Sequence, residues 1–219
     1  MHLGPAHGLL AFALFASASA CADASGRFQA FEDRRVELGG EAGASSSGVG
    51  GAGAECRPPA PGVVSGPALL SLETSTSPGA AILFFGQLET PELDGKTAVE
   101  FTYKALAVAD RRTEVGEPLV VGPYAIGDDG KFDAPTAEST LPGSANAILP
   151  GVPITSQLTL HGTICGVSDF YCGTVTGTVS APVRGDTTGN FGITLVESVD
   201  DLPARPRYGC AADALAPEL

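Results

Sequence analysis

From residue 98 to 110 apolar and polar residues alternate. Val99, Phe101, Tyr103 and Ala105 share one parity, and Glu100, Thr102 and Lys104 the other. Only an extended chain sends alternate residues to opposite faces, so this stretch predicts a strand half buried in a sheet. The last third of the chain repeats the pattern. Leu158, Leu160, Gly162 and Ile164 alternate with Thr159, His161 and Thr163. Val175, Gly177 and Val179 alternate with Thr174, Thr176 and Thr178, and Phe191, Ile193 and Leu195 alternate with Asn190, Gly192 and Thr194. Three such runs with turns between them predict an antiparallel meander.

Further strands are read at 63–73, at 80–88 and at 119–126. The second is an unbroken apolar run, expected mid-sheet, and Pro123 marks the third as an edge or a bulge. The 29 glycines, 17 prolines and absence of Trp fit short strands joined by many turns. The expected fold is all-β: a single antiparallel β-sandwich, with a partly closed β-barrel as the alternative. Residues 133–153 have little periodicity and carry Pro135, Pro142, Pro150 and Pro153, so they read as a long, partly ordered connection. Residues 127–133 and 185–191 share a Gly-Asp dressing and read as two similar turns.

Residues 9–16 form an apolar run as long as a signal-peptide core and too short to span a bilayer. Ala18-Ser19-Ala20 fits the small-residue rule for signal cleavage. With Cys21 it resembles the lipobox of bacterial lipoproteins, Ala18 standing where that motif usually has Leu. The resemblance implies cleavage before Cys21 and a diacylglycerol on its thiol. It also implies a cell-envelope location, anchored in the outer membrane; plain cleavage would instead leave a secreted or periplasmic protein. Residues 39–54 are Gly, Ala and Ser with little else, a flexible coil. About 35 residues of such chain span roughly 30–35 Å, enough to lift a domain off a membrane. The organisation expected is a signal peptide at 1–20, a lipidated cysteine and tether at 21–62, a β domain at 63–212 and a C-terminal tail at 213–219. This plan resembles envelope lipoproteins of high-GC Gram-negative bacteria.

There are five cysteines. Setting Cys21 aside as the acylated residue leaves Cys56, Cys165, Cys172 and Cys210, enough for two disulfides in an oxidising compartment. By strand parity Cys165 and Cys172 fall on the polar faces of neighbouring strands. That predicts a Cys165–Cys172 bridge across the hairpin neck and a Cys56–Cys210 bridge joining the ends of the domain.

The net charge of −13 disfavours nucleic acid and anionic membrane surfaces, which need Lys and Arg for binding. The expected membrane contact is therefore the lipid anchor. Asp128, Asp129 and Asp133, grouped around Gly127 and Gly130, are candidate oxygen ligands for Ca²⁺, although their spacing is not that of an EF-hand. A plain turn is the competing reading, and no other cofactor is expected. His161, the one histidine beyond the signal segment, falls mid-strand on the polar face and reads as solvent-facing. No Gly-x-Ser-x-Gly, His-Glu-x-x-His or Cys-x-x-Cys motif occurs. The function expected is that of a non-enzymatic envelope lipoprotein with a structural role or one in binding a protein, a glycan or a small molecule. The alternatives are a hydrolase using acidic residues and a calcium-dependent binding module. A cavity inside the domain would favour small-ligand binding; a filled core would favour a surface role.

Overall fold

The computed structural model describes residues 56–217. The signal segment, Cys21 and the tether before Cys56 lie outside the described residues. Ten strands follow in order: β1 (Ser65–Thr74), β2 (Ile82–Glu89), β3 (Glu92–Leu93), β4 (Lys96–Leu106), β5 (Glu114–Ala125), β6 (Lys131–Pro135), β7 (Ser139–Leu141), β8 (Ile154–Thr163), β9 (Phe170–Ala181) and β10 (Gly185–Leu195). All pairings are antiparallel. The main path runs β4-β2-β1-β10-β9-β8-β6, with β5 pairing β4, short β3 also on β4, and β7 on β8. The sheet curls into a half-barrel, the partly closed form of the expected all-β fold. At the gap β5 faces β6, and the Tyr124 hydroxyl donates to the Pro135 carbonyl at 2.8 Å. Among the described residues no ladder joins these two strands.

The alternating residues of the sequence are the inner face. Leu70, Val99, Phe101, Tyr103, Phe191 and Ile193 all lie in one buried cluster, to which β5, β6, β8 and β9 also contribute. Burying such side chains stabilises the fold by about 1.5–3 kcal/mol each. The outer face of β1 and β2 is covered as well. Leu69, Leu83 and Leu106 pack there with Val199 and Leu202 of the C-terminal segment. Pro123 lies at an edge and at a bulge, as expected: the β4–β5 register shifts between Val99 and Phe101, opposite Gly122-Pro123.

All four cysteines in the described residues are oxidised, but the expected pairing is corrected. The bonds are Cys56–Cys165 and Cys172–Cys210. The reason is register. In the β8–β9 ladder Cys172 stands opposite Thr163, so Cys165 is two residues past it. Cys165 instead sits where the chain has left the sheet, beside the segment entering the domain, whose Arg57 carbonyl accepts from the Gly166 N–H at 2.9 Å. Cys172 faces outward and meets the C-terminal segment. On loop-closure entropy alone the two bonds contribute about 5 and about 4 kcal/mol. Their presence indicates an oxidising, non-cytoplasmic compartment. Among the described residues no helix is long and apolar enough to cross a membrane.

Three other expectations change. The stretch 133–153 is not mainly a connection, because it holds most of β6, all of β7 and a 3-10 turn at Gly143–Ala145. Both strands are too short to show a period of their own and are held by β8. Residues 185–190 are strand and not turn. They pair in register with 174–179, and the reversal is made by 182–184. Finally, packed structure extends past both expected boundaries of the domain. Thr97 donates to the Pro59 carbonyl at 2.7 Å, and Ala216 is buried with its N–H on the Pro206 carbonyl.

Candidate functional site

The half-barrel is filled at one end and hollow at the other. At the filled end Gly162 and Gly173 face each other across β8 and β9. A Cβ on Gly162 would strike the Phe132 ring, and one on Gly173 would meet Phe191 at 2.8 Å. The two glycines thus make room for two aromatic rings in the interior. Phe101 packs beside them, its ring tilted by 53° to that of Phe132 and 5.9 Å away between centroids. The Cys56–Cys165 bond and the turn at 127–130 close this end, with the Ile164 N–H on the Gly130 carbonyl at 2.8 Å.

Towards the other end the inward residues are mainly aliphatic or small, Leu70, Leu72, Ser156, Leu158 and Val179, with the Phe84 ring beside them. The Phe84 and Tyr103 rings line the wall but leave the space between them open, and a cavity of about 770 Å³ results. That volume falls in the range of about 300–1,000 Å³ typical of small-molecule sites. The mouth lies between the β9–β10 hairpin and the 148–154 segment. Its rim carries exposed Val120, Leu149 and Val183. Its charged groups are Glu117, Glu138, Arg184 and Asp186, so among the described residues Arg184 is the single cation lining the cavity.

Tyr103 forms part of the cavity wall between the two halves. Its side chain is 1% exposed, stacked on Phe101 at 5.7 Å. Its hydroxyl is buried and has no hydrogen-bond partner among the described residues. Burial pushes this hydroxyl far above the usual tyrosine range, so it stays protonated and remains a donor. A buried hydroxyl without a partner costs about 1–3 kcal/mol. By contrast the Tyr171 hydroxyl, at the filled end, accepts from the Ser168 N–H at 2.9 Å.

The carboxylates singled out in the sequence do not converge. Asp129 pairs with Lys131 at 2.7 Å, and Asp133 turns to His161 at 2.6 Å. Lys131 holds the Asp129 carboxyl below its ordinary value. Among the described residues no group of three His, Cys, Asp or Glu side chains is placed to hold a metal ion. The 127–130 segment is the turn its Asp-Gly pair predicted, with the Gly130 N–H on the Gly127 carbonyl at 2.8 Å.

His161 faces outward but is not isolated. Its Nδ1 lies 2.6 Å from Asp133 and its Nε2 lies 2.9 Å from the Thr176 hydroxyl. The line Thr176–His161–Asp133 has the order of a nucleophile, base and orienting acid. It lies, however, across the outer face of β9, β8 and β6, outside the cavity. The arrangement is a polar cross-strand ladder.

Sequence reasoning placed Tyr103 on the inner face but did not mark it as a functional residue. The parity signal was present; the absence of a partner for its hydroxyl is a property of the assembled interior. No family model matches the chain, and neither a curated protein nor a solved structure is similar to it.

Proposed function

We propose that this chain is an exported, lipid-anchored binding module that holds a small, largely apolar molecule in the open half of its barrel. The observation that carries this reading is the apolar cavity of about 770 Å³. A hollow interior in an otherwise close-packed domain forfeits contacts that a bound apolar molecule restores. The lipobox-like Cys21 and the Gly/Ser-rich segment behind it supply the anchor and the reach. The entering chain meets the domain at Cys56, on the filled end, so the mouth opens at the end away from that attachment.

The test uses the neutral fluorescent probe N-phenyl-1-naphthylamine with the full-length mature protein. Saturable enhancement of its fluorescence is expected. Ser156→Trp, which puts an indole into the cavity from β8, is expected to abolish it while circular dichroism stays unchanged. Absence of binding, or binding untouched by Ser156→Trp in a folded protein, overturns the cavity reading. For the anchor, metabolic labelling with palmitate is expected in the wild type and lost in Cys21→Ser. Equal labelling of both, or none in either, overturns lipidation.

A further inference from the structure

The cavity wall narrows the chemistry of what the barrel takes. Among the described residues lining the cavity, the hydroxyls of Thr74, Thr136 and Thr140 already bond within the wall, whereas Tyr103 has the buried hydroxyl that lacks a partner. A ligand group meeting it must be a hydrogen-bond acceptor. The oxygen is covered by its neighbours, so such a bond requires the ring to shift towards the roomier half. An acceptor within about 2.8 Å would complete the hydroxyl's missing bond.

Charge excludes one large class of acceptor-bearing apolar molecules. A carboxylate pushed to the depth of Tyr103 would lose its hydration and find no cation there, because among the described residues the one positive group lining the cavity is Arg184, at the mouth. At the mouth itself Arg184 is outnumbered by Glu117, Glu138 and Asp186. The Glu138 carboxylate also takes the Ser180 hydroxyl at 3.2 Å, so it is held at the edge of the β8–β9 ladder. An anion therefore meets net repulsion on entering and an uncompensated desolvation on arriving. A neutral ester, ketone or amide escapes both.

Resting on the cavity reading above, we infer that the barrel selects uncharged apolar molecules that carry a carbonyl-type acceptor, and that the Tyr103 hydroxyl is the group that selects it. Tyr103 is thus a specificity residue, and the acidic rim is a filter against fatty-acid-like anions.

Displacement of N-phenyl-1-naphthylamine at pH 8 tests this, with methyl decanoate and decanoate as competitors of equal chain length. The ester is expected to displace the probe at a concentration more than about tenfold lower than the carboxylate. Tyr103→Phe is expected to weaken the ester about three- to tenfold more than it weakens the probe, with both affinities measured in the variant. An ester that Tyr103→Phe weakens no more than the probe, a carboxylate that competes as well as the ester, or an ester that fails to displace a bound probe would each overturn the inference while leaving the cavity reading standing. Failure of the probe itself to bind, or its indifference to Ser156→Trp, removes the cavity reading instead.

Discussion

The two ends of this half-barrel are built from the same strands and solve the same problem differently. Near Cys56 the interior is closed by rings set over glycines, and the Tyr171 hydroxyl is satisfied there. Near the β9–β10 hairpin it is walled by aliphatic residues with space between them, and the Tyr103 hydroxyl is not satisfied. Each inward residue on β8 and β9 belongs to one regime or the other: Gly162 and Gly173 below, Leu158 and Val179 above. The difference teaches that a curled sheet of this size does not fill itself. Filling it takes rings set over glycines, and where that pairing is missing the space remains.

Breaking the filled end has the largest effect. Replacing Cys56 and Cys165 together by Ser removes a cross-link between residues 109 apart, with an expected cost of about 5 kcal/mol by denaturant titration. Next comes a matched pair of truncations. Phe132→Ala should cost about 3–5 kcal/mol, because its ring is buried on all sides. Leu158→Ala, facing space that is already open, should cost about 1–2 kcal/mol, below the usual range for a buried leucine. Equal costs would mean that the two ends are packed alike. Smaller still, Tyr103→Phe without ligand should be neutral or raise stability by up to about 1 kcal/mol, since it deletes a buried group that has no partner. A clear loss would show that the hydroxyl is satisfied.

The smallest effect lies outside both ends, in the β4–β5 connection. Asp110 accepts from the backbone of Arg112 and Thr113, both at 3.0 Å, and from the Thr113 hydroxyl. The Thr113 hydroxyl bond first, and then the backbone bonds, lower its carboxyl from 3.8 to about 2. Because the folded value is the lower one, its contribution is full above the unfolded value and is lost as the pH falls through about 2. Asp110→Asn should therefore flatten the decline in melting temperature between pH 4 and pH 2 by a small amount. An unchanged slope would remove Asp110 from the account.

The strand faces were legible in the sequence because alternation is a local property. Val99 to Ala105 announce their burial within seven residues, and the 158–164 run does the same. What was not legible depends on partners. β6 and β7 exist because β8 offers them a ladder. Residues 185–190 have the composition of a turn, yet a full register with β9 overrides it. Parity correctly put Cys172 on an outer face, but parity cannot report a register offset of two, and that offset decided both disulfides. The cavity was least accessible of all, because its volume is what remains after every inward side chain has been placed.

The covalent tie between Cys56 and Cys165 has a mechanical consequence. Tension arriving along the chain from the amino-terminal side reaches Cys56 before it reaches β1. The cross-link diverts that load into the segment leaving β8, so β1 is not peeled from β2 and β10 one hydrogen bond at a time. The hollow end, at the far side of the barrel, carries none of it. A domain held in this way can be pulled from its amino-terminal side without its mouth changing shape.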